Sequence, residues 1–218
     1  MRNTFSLGIS TPDLIKEFGT SWVLRRQRIT CKRWPKLGED VSILTAPTGF
    51  NRGLQTYRDF HLLDSDDETT PIISAVSEWL LMDVESRRLK PIPEKVLALA
   101  TDLAPAASHL GRPTSKLQPP TEPSAQLDFK VRYGMLDFNN HLTNPVFPEL
   151  MLEPLGADFL RTHVPNTVDI MYHHEARYGE LVTATVGTVK NDSTHHALYR
   201  GEELLAVMEV DWQPLPTD

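Results

Sequence analysis

The sequence predicts an α+β chain made of two copies of one unit, each an antiparallel sheet wrapped around a helix. Three observations point there. Runs of alternating apolar and polar residues follow helix-like segments in both halves, which is the pattern of a helix and meander that share one core. Short matches recur between the halves: Trp34-Pro35-Lys36-Leu37-Gly38-Glu39-Asp40-Val41 answers Arg177-Tyr178-Gly179-Glu180-Leu181-Val182, and Ala75-Val76-Ser77-Glu78-Trp79 answers Ala206-Val207-Met208-Glu209 with Trp212 nearby. Between them lies a stretch with Pro105, Pro113, Pro119, Pro120 and Pro123 among Ser, Thr and Gly, which reads as a stiff linker. The division is a first repeat over 1–104, a linker over 105–126 and a second repeat over 127–218.

In the first repeat, Thr11-Pro12-Asp13 reads as an N-cap with proline at the first helical position, and Gly19 ends the helix after barely two turns. Strands follow over 22–29, 41–46, 55–63 and 72–83. Leu37-Gly38-Glu39-Asp40 turns the chain after the first, and Asp64-Ser65-Asp66-Asp67 is a hairpin connection. The segment 86–91 closes the set, and 94–103 carries a short helical pattern.

In the second repeat a strand over 127–133 alternates cleanly. Then comes Asp137-Phe138-Asn139-Asn140-His141-Leu142-Thr143-Asn144, the densest chemistry in the chain, followed by a helix with Val146, Phe147, Leu150 and Met151 on one face. Pro154 ends that helix near Glu153. Pro148 sits awkwardly if Pro145 is the first helical residue, so either a hydrogen bond is missing or the helix starts later. A short helix over 156–163 and strands over 168–174, 181–189, 195–200 and 204–212 complete the copy. The repeats are unequal: the second has a strand, the motif and a helix before its meander, and the first has only 21 residues before Trp22.

Composition bounds the function. With 218 residues, 40% of them hydrophobic, the chain can bury a core in each half. No run approaches the roughly 18 apolar residues of a membrane span, and Met1-Arg2-Asn3-Thr4-Phe5-Ser6 lacks the apolar core of a secretory signal, so a cytoplasmic location and no membrane partner are expected. The single cysteine, Cys31, excludes an internal disulfide framework and a thiolate metal cluster. A net charge of −7 argues against a nucleic-acid partner. Against that charge stands one basic run, Arg25, Arg26, Arg28, Lys32, Arg33 and Lys36, read either as a solvated strand face or as a basic patch.

Asp- and Asn-rich clusters also form turns and caps, so the motif alone does not settle a role. The wider pattern does more. Asp137-x-Asn139-x-His141-x-x-Asn144 with Phe147 resembles the signature of acyl-[acyl-carrier-protein] thioesterases, as do the Trp22-Val23-Leu24 strand, the Trp34-Pro35-x-x-Gly38-Glu39 turn, Arg58-Asp59-Phe60, the strand ending at Trp79 and Arg87-Arg88-x-x-Pro91. The resemblance covers roughly Thr11 to Leu215 and implies a tandem (double) hotdog fold. It makes Glu175, in His173-His174-Glu175-Ala176, the counterpart of the family's later catalytic acid. Three positions depart from the pattern. Ala176 stands where plant relatives have cysteine, Thr143 replaces the first of paired asparagines, and the first copy is expected to lack its N-terminal strand and most of its helix.

The resemblance implies hydrolysis of fatty acyl thioesters of acyl carrier protein to free fatty acid and holo carrier, in fatty acid biosynthesis, with no cofactor and no metal. Glu175 is expected on a strand facing the motif as the base, with His141 and Asn139 positioning water or polarising the carbonyl and Asp137 orienting them. Backbone donors at the helix start, around Thr143 and Asn144, are the expected oxyanion site. The basic run at Arg25 to Lys36 would attract the acidic carrier. A metal site from His141, His173 and Glu175 is disfavoured because adjacent His173 and His174 would point to opposite strand faces. The alternatives are an acyl-CoA thioesterase of hotdog type and an inactive acyl-binding protein with an incomplete first copy. A homodimer is left open.

Overall fold

The computed structural model describes residues 8–102 and 108–215; the N-terminal stretch read for a signal, the expected helix end at Leu103 and the linker start at Pro105 lie outside them. The chain divides into two compact units, Met1–Pro113 and Thr114–Asp218. No helix among the described residues is long and apolar enough to cross a membrane.

The first unit opens with α1 (Thr11–Phe18). Ser10, not Thr11, is the N-cap: its hydroxyl accepts from the Asp13 N–H and the Asp13 carboxylate accepts from the Ser10 N–H, a reciprocal capping box one residue earlier than expected. Gly19 adopts φ 64° and closes the helix, its N–H donating to the Ile15 carbonyl. The helix buries Leu14 against Leu81, Ile92 and Val96, each worth about 2 kcal/mol of apolar burial.

The strands are β1 (Thr20–Cys31), β2 (Val41–Asn51), β3 (Gln55–Asp64) and β4 (Asp67–Asp83), ordered β2-β3-β4-β1, with β5 (Leu89–Lys90) pairing the end of β4. β2 runs five residues beyond the expected end at Ala46, through Pro47, where its register with β3 slips. A residue without an N–H is accommodated there by a bulge. In β1 the register shifts between Leu24 and Arg26, which leaves Arg25 as the extra residue. After β5 comes α2 (Glu94–Leu97), continued by a 3-10 turn Ala98–Asp102.

The linker's first part is strapped to the first unit. The buried Asp59 carboxylate on β3 accepts from the Leu110 N–H (2.8 Å), the Arg112 guanidinium (2.7 Å) and the Thr48 hydroxyl (2.8 Å). Arg112 also donates to the Thr48 carbonyl and lies 4.5 Å from the centre of the Tyr57 ring.

The second unit has β6 (Pro123–Lys130), β7 (His163–Tyr172), β8 (Leu181–Gly187), β9 (Ser193–Arg200) and β10 (Glu203–Pro214), ordered β7-β10-β9-β8-β6. Apart from β6 this is the strand order of the first unit. β6 begins inside the Pro-rich stretch and stops before the expected end at Tyr133, which lies in a 3-10 turn Tyr133–Met135. Helix α3 (Val146–Leu152) packs on β8, β9 and β10 through buried Phe147, Leu150 and Met151. Its N-cap is Pro145, so Pro148 is the third helical residue, where no intrahelical donor is required. A 3-10 turn Glu153–Leu155 and α4 (Ala157–Thr162) lead into β7.

A buried relay pins α3 to the sheet. His196 is fully buried; its Nδ1 lies 2.8 Å from the Met151 carbonyl and its Nε2 2.7 Å from the Thr194 hydroxyl, which accepts from the Trp212 indole N–H at 2.8 Å. The Met151 carbonyl can only accept, so Nδ1 carries the imidazole proton and Nε2 accepts from Thr194.

Candidate active site

Three turns of the second unit are stitched together by backbone bonds. The Thr143 N–H donates to the Met135 carbonyl (2.9 Å), joining the motif to the 3-10 turn before it. The Leu142 N–H donates to the Ala176 carbonyl (2.8 Å) and His141 pairs with Arg177 in an isolated antiparallel bridge, joining the motif to the segment after β7. Val131 exchanges bonds with Gly179 and Glu180, 2.9 Å each way, joining the turn that leads into β8 to the chain after β6.

Within the motif Asp137 acts through the backbone. Its Oδ1 accepts from the Asn139 N–H (2.8 Å) and the His141 N–H (3.1 Å), and its own N–H donates to the His141 carbonyl (2.8 Å). This closes a tight loop in which Asn140 takes φ 61°, a conformation asparagine tolerates. Asp137 therefore sets the position of His141 without touching the ring.

The imidazole meets Glu175. His141 Nε2 lies 3.1 Å from Glu175 Oε2, with both side chains partly shielded from solvent. Glu175 is not on a strand, as the alternation of 168–174 implies; β7 ends at Tyr172 and Glu175 sits in the irregular segment before Arg177. The bonds from Leu142 to Ala176 and from Arg200 Nη1 to the Glu175 carbonyl (3.3 Å) hold that segment in place. Arg200 also grips Glu180 at 2.7 Å. Burial pushes the Glu180 carboxyl up, but the Arg177 N–H and Arg200 outweigh it and hold its pKa below the ordinary value. Arg200 was not legible as a site residue, since it is one arginine at the end of a strand with no local motif.

The helix-start donors need correction. The N–H groups from Asn139 to Thr143 are all engaged, and those of Val146 and Phe147 donate to the Thr143 and Asn144 carbonyls. The Thr143 amide is thus unavailable to an oxyanion. Among the described residues the Asn144 N–H donates to no protein acceptor, and the exposed Asn139 carboxamide stands in the same loop. Tyr172, whose hydroxyl donates to the Asn144 carbonyl at 3.4 Å and whose ring packs edge-on against Phe147, supports this point from below; burial raises its pKa above the ordinary phenol value.

The basic run of the first unit is partly dismantled. Arg26 is only 4% exposed, so it cannot meet a partner. Arg33 is held by Glu39 at 2.8 Å and by Asp64. Arg25 is half-buried, and burial pulls its pKa down against the opposing charge of Glu78. Arg28 is half-buried, whereas Lys32 and Lys36 are exposed.

Comparison with known proteins gives the family. Residues 1–100 match the acyl-ACP thioesterase N-terminal domain and residues 118–214 the C-terminal domain. The chloroplastic oleoyl-acyl carrier protein thioesterase of Coriandrum sativum is 26% identical over 197 residues, covering 86% of this chain and 52% of that protein. The chloroplastic palmitoyl-acyl carrier protein thioesterase of Gossypium hirsutum is 27% identical over 200 residues, covering 88% and 47%. The chain thus spans about half the length of these relatives. In fold it is similar to the 12:0-ACP thioesterase from Umbellularia californica, with TM-score 0.86, 18% identity and coverage of 97% of this chain and 84% of that one. An acyl-ACP thioesterase from Bacteroides thetaiotaomicron gives TM-score 0.81 at 21% identity, covering 96% and 83%. Both halves of the chain carry the family's domains in order, and the protein belongs to the acyl-ACP thioesterase family.

Proposed function

We propose that the protein hydrolyses fatty acyl thioesters of acyl carrier protein, releasing free fatty acid and the carrier thiol, with its chemistry in the second of two hotdog repeats. The observation that carries the mechanism is the 3.1 Å contact of His141 Nε2 with Glu175 Oε2. With Nε2–H donating to the carboxylate, the His141 Nδ1 lone pair and the second Glu175 oxygen are proton acceptors. The pair takes a proton from water as its oxygen adds to the thioester carbonyl carbon. The Asn144 N–H and the Asn139 carboxamide supply donors for the oxyanion. Collapse breaks the C–S bond; the leaving thiolate needs little help because its conjugate acid has a pKa of about 8.5, and it takes the proton held by the pair to become the carrier thiol. No sulfur nucleophile is required, in keeping with Ala176.

The test is thiol release from acyl carrier protein thioesters and, separately, from acyl-CoA. A kcat/KM at least tenfold higher for the carrier substrates is expected, with activity lost in Glu175→Gln. Equal kcat/KM for the two substrates would move the reading to an acyl-CoA thioesterase, and full activity of Glu175→Gln would remove the carboxylate from the mechanism.

A further inference from the structure

The joined turns around His141 carry a group of outward cations and aromatic rings that the mechanism does not use. Arg177 pairs with His141 across the bridge, so their Cβ atoms are about 5 Å apart. Lys130 and Arg132 flank Val131, which is bonded to Gly179 and Glu180. All three cations are exposed, and among the described residues none is in a side-chain salt bridge. The nearby carboxylates are engaged: Glu175 with His141, Glu180 with Arg200, and Asp137 with two amides. Three aromatic rings stand on the same turns, with Phe138 87%, Tyr133 80% and Tyr178 67% exposed. Arginine beside exposed tyrosine and phenylalanine is the composition enriched at protein-binding surfaces.

We infer that this rim, and not the basic run of the first unit, is the docking face for the acidic carrier protein, which places its thioester arm beside His141. The choice of partner rests on the thioesterase reading; the choice of surface rests on charge complementarity against a protein of net charge −7. Arg177 is a binding residue here, acting on the carrier and not on the reacting carbonyl.

The experiment reads binding alone. The thiol form of acyl carrier protein, which has no acyl group to lose, is titrated against the whole protein by fluorescence anisotropy at several salt concentrations. Arg132→Glu with Arg177→Glu is expected to weaken binding by about tenfold or more and to flatten its salt dependence. Arg161→Glu with Lys190→Glu makes the same charge change at the other end of the second unit, before β7 and after β8, and is expected to shift affinity less than about twofold. Arg28→Glu with Lys32→Glu tests the first unit. The inference is overturned by equal losses in the rim and control variants, by a loss confined to Arg28 and Lys32, by a wild type that binds no carrier, or by rim residues that drive binding to phosphatidylglycerol vesicles in place of the carrier. Because no turnover is read, an inert protein that still binds the carrier through the rim would sink the hydrolase reading and leave the docking face standing.

Discussion

At the scale of single residues, His141 and Glu175 touch, and in the proposed mechanism they share one proton path, so their removals should not multiply. His141→Ala and Glu175→Ala are each expected to lower kcat by about 10² to 10⁴, and the double variant to lose far less than the product. Steady-state kinetics on acyl carrier protein thioesters checks this, and fully multiplicative losses would mean that the two groups serve different steps. Cys31 is buried in β1 of the first unit, where burial raises its thiol pKa, and Cys31→Ala should leave kcat near wild type. Of the residues the chain singles out, the structure brings His141 and Glu175 into contact; the hydrogen bonds that place them left no trace in the sequence. Asp137 reads equally as a turn former and as an orienting acid, and it positions the imidazole by forming the turn. Thr143 reads as a backbone donor, yet its N–H goes to Met135, a partner eight residues back that no local pattern indicates.

Among the elements, α3 was legible from its apolar spacing, and the later start at Val146 resolves Pro148. What holds α3 to its sheet was not, because His196 in an alternating strand gives no sign that it meets the helix end. The His196 imidazole is pushed down to about 4, chiefly by burial, with the Met151 carbonyl opposing and His195 adding. The unfolded imidazole takes its proton as pH falls through 6.5, whereas the folded one does so only near 4, so stability is fully present above 6.5 and is lost as pH falls toward 4. The loss is about 3 kcal/mol, and urea unfolding at stepped pH should show it. His196→Leu should flatten that slope even if it lowers stability at pH 7. The bulge at Arg25 was equally invisible in the sequence. The charge run Arg25 to Lys36 reads as a solvated strand face or a basic patch, and the strand instead buries Arg26.

For the molecule as a whole, repetition in the sequence was the strongest sign of architecture, and the strands of the two units follow matching orders, β2-β3-β4-β1 and β8-β9-β10-β7. The linker was read only as a stiff connector, because side-chain bonds from Asp59 to residues 110 and 112 span about 50 positions and leave no local trace. Arg112→Ala should destabilise the protein by about 3 kcal/mol in urea unfolding, since it leaves Asp59 charged and buried with too few partners; adding Asp59→Ala should recover part of that loss. The same strap fixes where the chain can be divided. The family's first domain ends at residue 100, but a fragment stopped there would omit both Leu110 and Arg112 and strand a carboxylate inside its own sheet. The usable seam is the few residues between Pro113 and the buried Leu117. Limited proteolysis should nick the chain there first, and an expressed first half should aggregate more when it ends at residue 100 than when it ends at Pro113.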